Sequence, residues 1–227
     1  MNTTFYPSFW RHFFRGRQFL NQRIHRMGFI FVAFSLLSHP SLAATPVNPD
    51  RITAAHLMNN LIDASWIQDG SGNKIVYLFF DPNCPYCHIV YDSLAKIRKD
   101  LPDIQFRWVP LATLGGTSEG KAAAIIQAQD PLAAFHQSER NYGFLDSDNG
   151  GGIKPARIVK AATKSLLDEN LSIIEGENLA GIPIVVFQAT DGKPFYFMGQ
   201  RTEAQLRQIL SFVAAGNFGG GTPIKSQ

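Results

Sequence analysis

Lys74-Ile75-Val76-Tyr77-Leu78-Phe79-Phe80-Asp81-Pro82-Asn83-Cys84-Pro85-Tyr86-Cys87-His88 is the stretch on which the reading of this chain turns. Its first seven residues form a nearly unbroken β-branched and aromatic run, the pattern of a strand buried on both faces and therefore central in a sheet. Asp81-Pro82-Asn83 stops the strand, and from Cys84 to Lys99 the residues Val90, Leu94 and Ile97 give a helix its inner face. The cysteine pair is thus expected at a strand-to-helix junction.

The chain has only two cysteines, both within this motif. A disulfide stabilises mainly by closing a long loop of the unfolded chain, so a Cys84-Cys87 disulfide is a poor staple. As a redox pair the two are well placed. Cysteine reacts as the thiolate, and the unpaired N–H groups and positive dipole end of a helix N-terminus favour that charge at Cys84. Pro85 suits the first helical turn, where a missing N–H costs little. Cys87, one turn further in, is the resolving thiol for a nucleophilic Cys84. Pro85, Tyr86 and His88 are candidate modulators, and protonated His88 would favour a nearby thiolate.

Two other readings share these residues. Cys84 to His88 also matches Cys-x-x-Cys-His, the c-type haem attachment signature, with His88 as axial ligand and a second ligand to be found among Met58, Met198, His56 and His136. The strand before the motif and the helix after it favour the redox reading. A zinc site would need Cys84, Cys87, His88 and one distant histidine, with no second ligand pair visible; neither metal nor other cofactor is expected. From a different functional class, a non-catalytic chaperone would bind clients through a sheet edge and apolar surface.

The first 43 residues carry five arginines and no acid, followed by the apolar run Met27 to Leu37 and the small-residue site Ser41-Leu42-Ala43. That is the pattern of a signal peptide over residues 1–43, hence export to the periplasm. Removing those five from the 21 basic residues leaves 16 against 18 acidic ones, so the chain's net positive charge belongs to the leader. No Lys/Arg stripe of the kind that binds nucleic acid is left.

Beyond the leader, residues 44–73 read as a linker helix with Ile52, Leu57, Met58, Leu61 and Ile62 at helical spacing, then a turn through Asp69 to Asn73. Ile104 to Val109 alternates as a second strand. Helical runs at Ser118 to Gln129, Pro131 to Asn141 and Pro155 to Glu175 follow, with the turn Asn149-Gly150-Gly151-Gly152 between two of them. Ile184 to Phe187 and Pro194 to Met198 pair about Asp191-Gly192, and a helix over Glu203 to Val213 precedes a glycine-rich tail, residues 216–227, expected to be mobile. The result is an α/β sandwich with a mixed sheet.

Ala64 to Gly70, Ile75 to Phe79 and Asp81-Pro82-Asn83-Cys84-Pro85-Tyr86-Cys87 resemble the catalytic domain of the bacterial periplasmic thiol:disulfide interchange proteins of the DsbC/DsbG type, the DsbG branch most of all. The resemblance implies a thioredoxin fold over residues 74–215 with a helical insertion at about 112–182, between the second strand and a cis-proline. It makes Pro183 that cis-proline, with Ile182 and Pro183 facing the cysteines and binding substrate, and it implies exported clients with disulfides or oxidised thiols and a membrane thiol reductase for recycling. Two departures qualify it. The family's N-terminal dimerisation domain is missing ahead of the helix, so a monomer is expected, and Ile182 stands where the family usually has threonine, so oxidoreductase is a safer expectation than isomerase.

Overall fold

The computed structural model describes residues 49–144, 150–179 and 181–226; the leader assignment, residues 1–43, lies outside them, as does Asn149 of the glycine turn. In chain order the elements are α1 (Pro49–Asn60), β1 (Ser65–Asp69), β2 (Lys74–Phe80), α2 (Pro85–Ile97), β3 (Ile104–Pro110), α3 (Ser118–Ile126), α4 (Pro131–Arg140), α5 (Ala161–Glu175), β4 (Ile184–Gln188), β5 (Pro194–Met198), α6 (Glu203–Leu210) and β6 (Thr222–Pro223). They build one mixed sheet in the order β5-β4-β2-β3-β1-β6. β2 runs parallel to β3 and antiparallel to β4, placing the motif-bearing strand at the centre.

Alternation along β2 divides the core, because successive side chains of a strand point to opposite faces. Val76, Leu78 and Phe80 pack with Val90, Leu94 and Ile97 of α2 and with Leu206 and Leu210 of α6. Ile75, Tyr77 and Phe79 pack on the other face with Leu57 and Met58 of α1 and with Ile173 and Ile174 of α5. Both faces are covered, which is why the run Lys74 to Phe80 is apolar almost throughout. The inner face of α1 is narrower than its sequence spacing suggests: Ala54, Leu57 and Met58 are buried, but Ile52 is 44 % exposed and Ile62, beyond the helix, 62 % exposed.

The segment expected to be a turn or linker contains a strand. β1 pairs antiparallel with β3, Ile67 opposite Trp108. Its start is secured from the helical insert: Asn170 of α5, fully buried, accepts from Ser65 N at 2.8 Å and donates to Ser65 O and Pro110 O at 2.9 and 3.0 Å. A side-chain amide that satisfies backbone groups of two strands at once is a positional lock. The third insert helix begins at Ala161 rather than near Pro155, because the preceding stretch docks on α3 through Ala156 N to Gly120 O, 2.8 Å, and Gln127 Oε1 accepts from Lys160 N, 2.9 Å, at the helix start.

The tail also departs from expectation. β6 runs parallel to β1, with Thr222 N and Ile224 N each 2.8 Å from the carbonyls of Ala64 and Trp66. Arg107 of β3, 7 % exposed, donates to Asn217 Oδ1 at 2.7 Å, to Gly220 O at 3.2 Å and to the Tyr77 hydroxyl, while its guanidinium lies 4.1 Å from the centre of the Trp66 ring. The glycines here serve close approach rather than mobility. Gly221 has φ +75°, and a Cβ on it would meet the carbonyl of Ala64. Gly221→Val is therefore expected to unzip β6 and cost about 1–3 kcal/mol, read as a lower urea midpoint with earlier proteolysis at the C-terminus. Gly176→Ala, where an added Cβ meets nothing, is the matched control and should leave the midpoint unchanged.

Candidate functional site: a dithiol at the start of α2

β2 ends in a turn held by Asp81. Its Oδ1 accepts from Asn83 N at 2.8 Å, and its Oδ2 accepts from Thr113 N, Leu114 N and Ser118 Oγ at 2.7, 3.0 and 2.5 Å. One buried carboxylate thus ties the turn before the cysteines to the start of the helical insert, and these donors offset the cost of burying it. Cys84 N donates to Asp81 O, 2.9 Å, and leaves Cys84 as the N-cap of α2 with Pro85 in the first turn.

In that position the Cys84 sulfur takes the role usually played by a capping oxygen, accepting from Cys87 N at 3.2 Å. Its thiol pKa is lowered, first by the Cys87 side chain and then by the backbone N–H groups of Cys87 and Tyr86, against the opposing effects of burial and the Asp81 charge. Burial, and next Cys84 itself, push the Cys87 thiol far the other way. Both thiols are free and buried, while Tyr86 between them is 55 % exposed. The Ile182–Pro183 peptide bond is cis, and Ile182 O lies 3.8 Å from Cys84 Sγ.

His88 is placed away from a ligand's role. Its Nδ1 and Nε2 face Glu139 Oε2 and Asp92 Oδ2 at 3.2 and 3.4 Å, and its ring stacks on Tyr142 with centroids 4.4 Å apart. Burial alone would lower its pKa, but the Glu139 hydrogen bond and the charges of Asp92 and Glu139 outweigh that and raise it. The haem reading therefore loses its axial histidine, since both ring nitrogens are turned to carboxylates. The other candidates fall elsewhere: His56 pairs with Glu177, His136 lies 2.9 Å from the Tyr91 hydroxyl, and Met58 and Met198 pack on the opposite face of the sheet from the cysteines.

Several residues of the site were not singled out in the sequence. Tyr142, after α4, donates to Asn83 O at 3.0 Å; its own phenol is pushed well above the ordinary value by burial and by the nearby thiols. Gly151 N donates to Pro82 O at 2.6 Å, and a Cβ on Gly150 would run into Asn83. The glycine turn is a clamp on the motif loop, which explains its composition. Asp81, three residues before Cys84, was within reach of a local reading as a capping acid. Glu139 was not, because 51 residues separate it from His88.

A central strand leading into a helix whose N-cap is the first cysteine of a Cys-x-x-Cys pair, with a cis-proline beside it, defines a dithiol protein of thioredoxin architecture. The sequence profile of the thioredoxin-like domain family matches residues 67–214, and the chain belongs to that family. It is 28 % identical over 159 residues to the thiol:disulfide interchange protein DsbG of Pseudomonas aeruginosa, a match covering 69 % of this chain and 59 % of that protein. With DsbG of Escherichia coli it shares 34 % identity over 107 residues, 46 % of this chain and 43 % of that one. The matches thus span about half the length of these curated relatives. Among solved structures, a periplasmic thioredoxin-like protein from Salmonella enterica serovar Typhimurium superposes with a TM-score of 0.53 at 18 % identity, over 74 % of this chain and 97 % of that one.

Proposed function

We propose that this protein is a periplasmic thiol-disulfide oxidoreductase in which Cys84 is the nucleophile and Cys87 the resolving thiol. The observation that carries the reading is the position of Cys84 Sγ, held as the cap of α2 by Cys87 N at 3.2 Å and facing Ile182 O. The thiolate is favoured there, and the partner thiol is kept protonated until it is needed.

In the proposed reaction the Cys84 thiolate attacks one sulfur of a client disulfide, forming a Cys84–client bond and releasing the other client sulfur as a thiolate. Cys87, losing its proton, then attacks Cys84 Sγ; the Cys84–client bond breaks, the Cys84–Cys87 disulfide forms, and the client leaves reduced. Protein and client exchange two electrons, so the reverse sequence oxidises a client dithiol. Ile182 and Pro183 are assigned to the client segment: with the Ile182 carbonyl beside Cys84, an extended backbone can lie along the loop in the manner of strand addition. The leader-like residues 1–43 support export, the clients are exported proteins with disulfides or oxidised thiols, and a membrane thiol reductase is the proposed source of electrons for recycling. The protein is proposed to act as a monomer.

Equilibrating the purified protein with glutathione buffers of graded poise and counting free thiols tests this. A Cys84–Cys87 disulfide that forms and is reduced reversibly is the expected result. A dithiol that stays reduced across the series would sink the proposal, and client protection that survives Cys84→Ser and Cys87→Ser together would make binding the main activity.

A further inference from the structure

At the end of the sheet opposite β6, β5 has β4 on one side and, among the described residues, no strand on the other. Such an edge is a template for another chain unless something blunts it. Pro194-Phe195-Tyr196-Phe197-Met198 carries no charge. Along it runs a groove of about 1120 Å³, walled by Arg51 and Ala54 of α1 and by Gln205 and Ile209 of α6. Phe195 and Phe212, both in its lining, are 41 % and 54 % exposed.

Which groups this edge offers follows from the hairpin. Gly199 N donates to Pro183 O and Ala189 N to Lys193 O, both at 2.9 Å. Between those pairs Phe197 faces Val185 and Phe195 faces Phe187. Because hydrogen-bonded pairs alternate in an antiparallel ladder, Phe195 and Phe197 turn their N–H and C=O groups to β4. Pro194, Tyr196 and Met198 turn theirs outward. Pro194 has no N–H, and Met198 O already accepts from Arg201 Nη1 at 3.0 Å. An arbitrary strand would thus meet a missing donor at one end and an occupied acceptor at the other.

We infer that the strand fitting this edge is β5 of a second copy of the chain, paired antiparallel about Tyr196. The Tyr196 N–H and C=O then exchange bonds with their counterparts across the two-fold axis, and Met198 N–H donates to Pro194 O of the second copy. The proline's absent N–H falls opposite the Met198 carbonyl that Arg201 already satisfies, so no outward group is orphaned. Phe195 comes opposite Phe197 of the second copy on the α6 side, an aromatic cross-strand pair. Continuing the count past the strand sets Asp191, exposed and 3.8 Å from Lys193 Nζ in its own turn, level with Arg201 across the axis. Neighbouring registers fit less well. Centring on Phe195 would leave Tyr196 O facing the proline without a donor, and centring on Phe197 would set Lys193 against Arg201. Through its two antiparallel pairings β5 runs in the direction of β2, so the joint sheet carries its two dithiols at opposite ends. Each chain therefore remains the acting unit at its own dithiol, and the interface stands independently of the thiol chemistry.

Sedimentation of the purified protein from micromolar to submillimolar concentration is expected to show a reversible monomer–dimer equilibrium. Amide hydrogen exchange at Tyr196 and Met198 should slow as the dimer forms, while Phe195 and Phe197, already bonded to β4, should not change. Phe195→Lys, which puts an amine into the aromatic pair, is expected to weaken the dimer about 100-fold, with the dithiol still equilibrating with glutathione as in wild type. Asp191→Lys should weaken it about tenfold. Combining Asp191→Lys with Arg201→Glu should restore it, which a mere disturbance of the turn would not allow. A chain that stays monomeric over the whole range would overturn the inference. So would a dimer in which Tyr196 and Met198 exchange at the monomer rate, because such a dimer uses another face, or one that neither Phe195→Lys nor Asp191→Lys weakens.

Discussion

Cys84→Ser is expected to reduce disulfide exchange by about three orders of magnitude or more, to the background of a protein without its proposed nucleophile, while Cys87→Ser should still react once and then hold its client as a mixed disulfide. The difference follows from the two sulfur environments. Cys84 accepts a backbone N–H at the head of α2 and has its pKa lowered; the Cys87 thiol is pushed far up by burial. A depressed pKa means that the reactive thiolate is present above the folded-state value and is lost only as pH falls through it. Alkylation of Cys84 by iodoacetamide should therefore persist well below the range where an ordinary cysteine, with a pKa of about 8.5, falls silent. Cys87 should stay unreactive across the same range. Mass spectrometry of alkylated peptides against pH checks both; equal labelling of the two cysteines would contradict the assignment of roles.

The second large effect is expected at Asp81, which the sequence reading treated only as part of a strand stop. Asp81→Ala leaves Asn83 N, Thr113 N, Leu114 N and Ser118 Oγ without their acceptor. Donors orphaned in the interior cost about 1–3 kcal/mol each, reduced where water can enter. A loss of about 3 kcal/mol or more is expected, or about 10 °C in Tm for a chain of this size. Asp81→Asn should cost less, because its amide oxygen can still accept. It should also move the chemistry in the opposite direction: the Asp81 charge opposes the thiolate at Cys84, so removing it should shift the Cys84 alkylation profile to lower pH. Thermal unfolding together with that profile tests both parts. A variant that unfolds at the wild-type temperature would refute the anchoring role.

These expectations rest on features of unequal legibility. The motif could be read because its chemistry is local: the dipole, the proline in the first turn and the one-turn spacing of the thiols are all contained in Cys84 to Cys87. β2 was legible for a related reason, since a strand covered on both faces must be apolar at nearly every position. β1 was not. It is five residues long, bounded by a turn rich in Asp, Gly and Asn, and its pairing with β3 is sealed by Asn170, which lies 105 residues from Ser65.

The tail shows how composition misleads when contacts are distant. Glycine at 219, 220 and 221 reads as freedom in isolation, yet a Cβ at those positions would meet Tyr77, Ile62 and Ala64 respectively. The same residue type that loosens a free chain is what permits a backbone to lie flush against a sheet.

What the sequence determined by itself was the Cys-x-x-Cys pair of Cys84 and Cys87 at a strand-to-helix junction, the central strand that delivers it and the α/β order of the elements, because each depends on neighbours within a turn or on a repeating period. What only the tertiary structure decided was the surroundings that tune the pair: the Asp81 anchor, the clamp of Gly150 and Gly151 on the motif loop, and the line from Glu139 through His88 to Asp92. The anchor depends on Thr113 to Ser118, 32 to 37 residues from Asp81, and the clamp and the line depend on α4 and its following loop returning to the motif and α2 across fifty residues or more. Burial and charge pairing at such range belong to the packed chain and leave no period in the sequence.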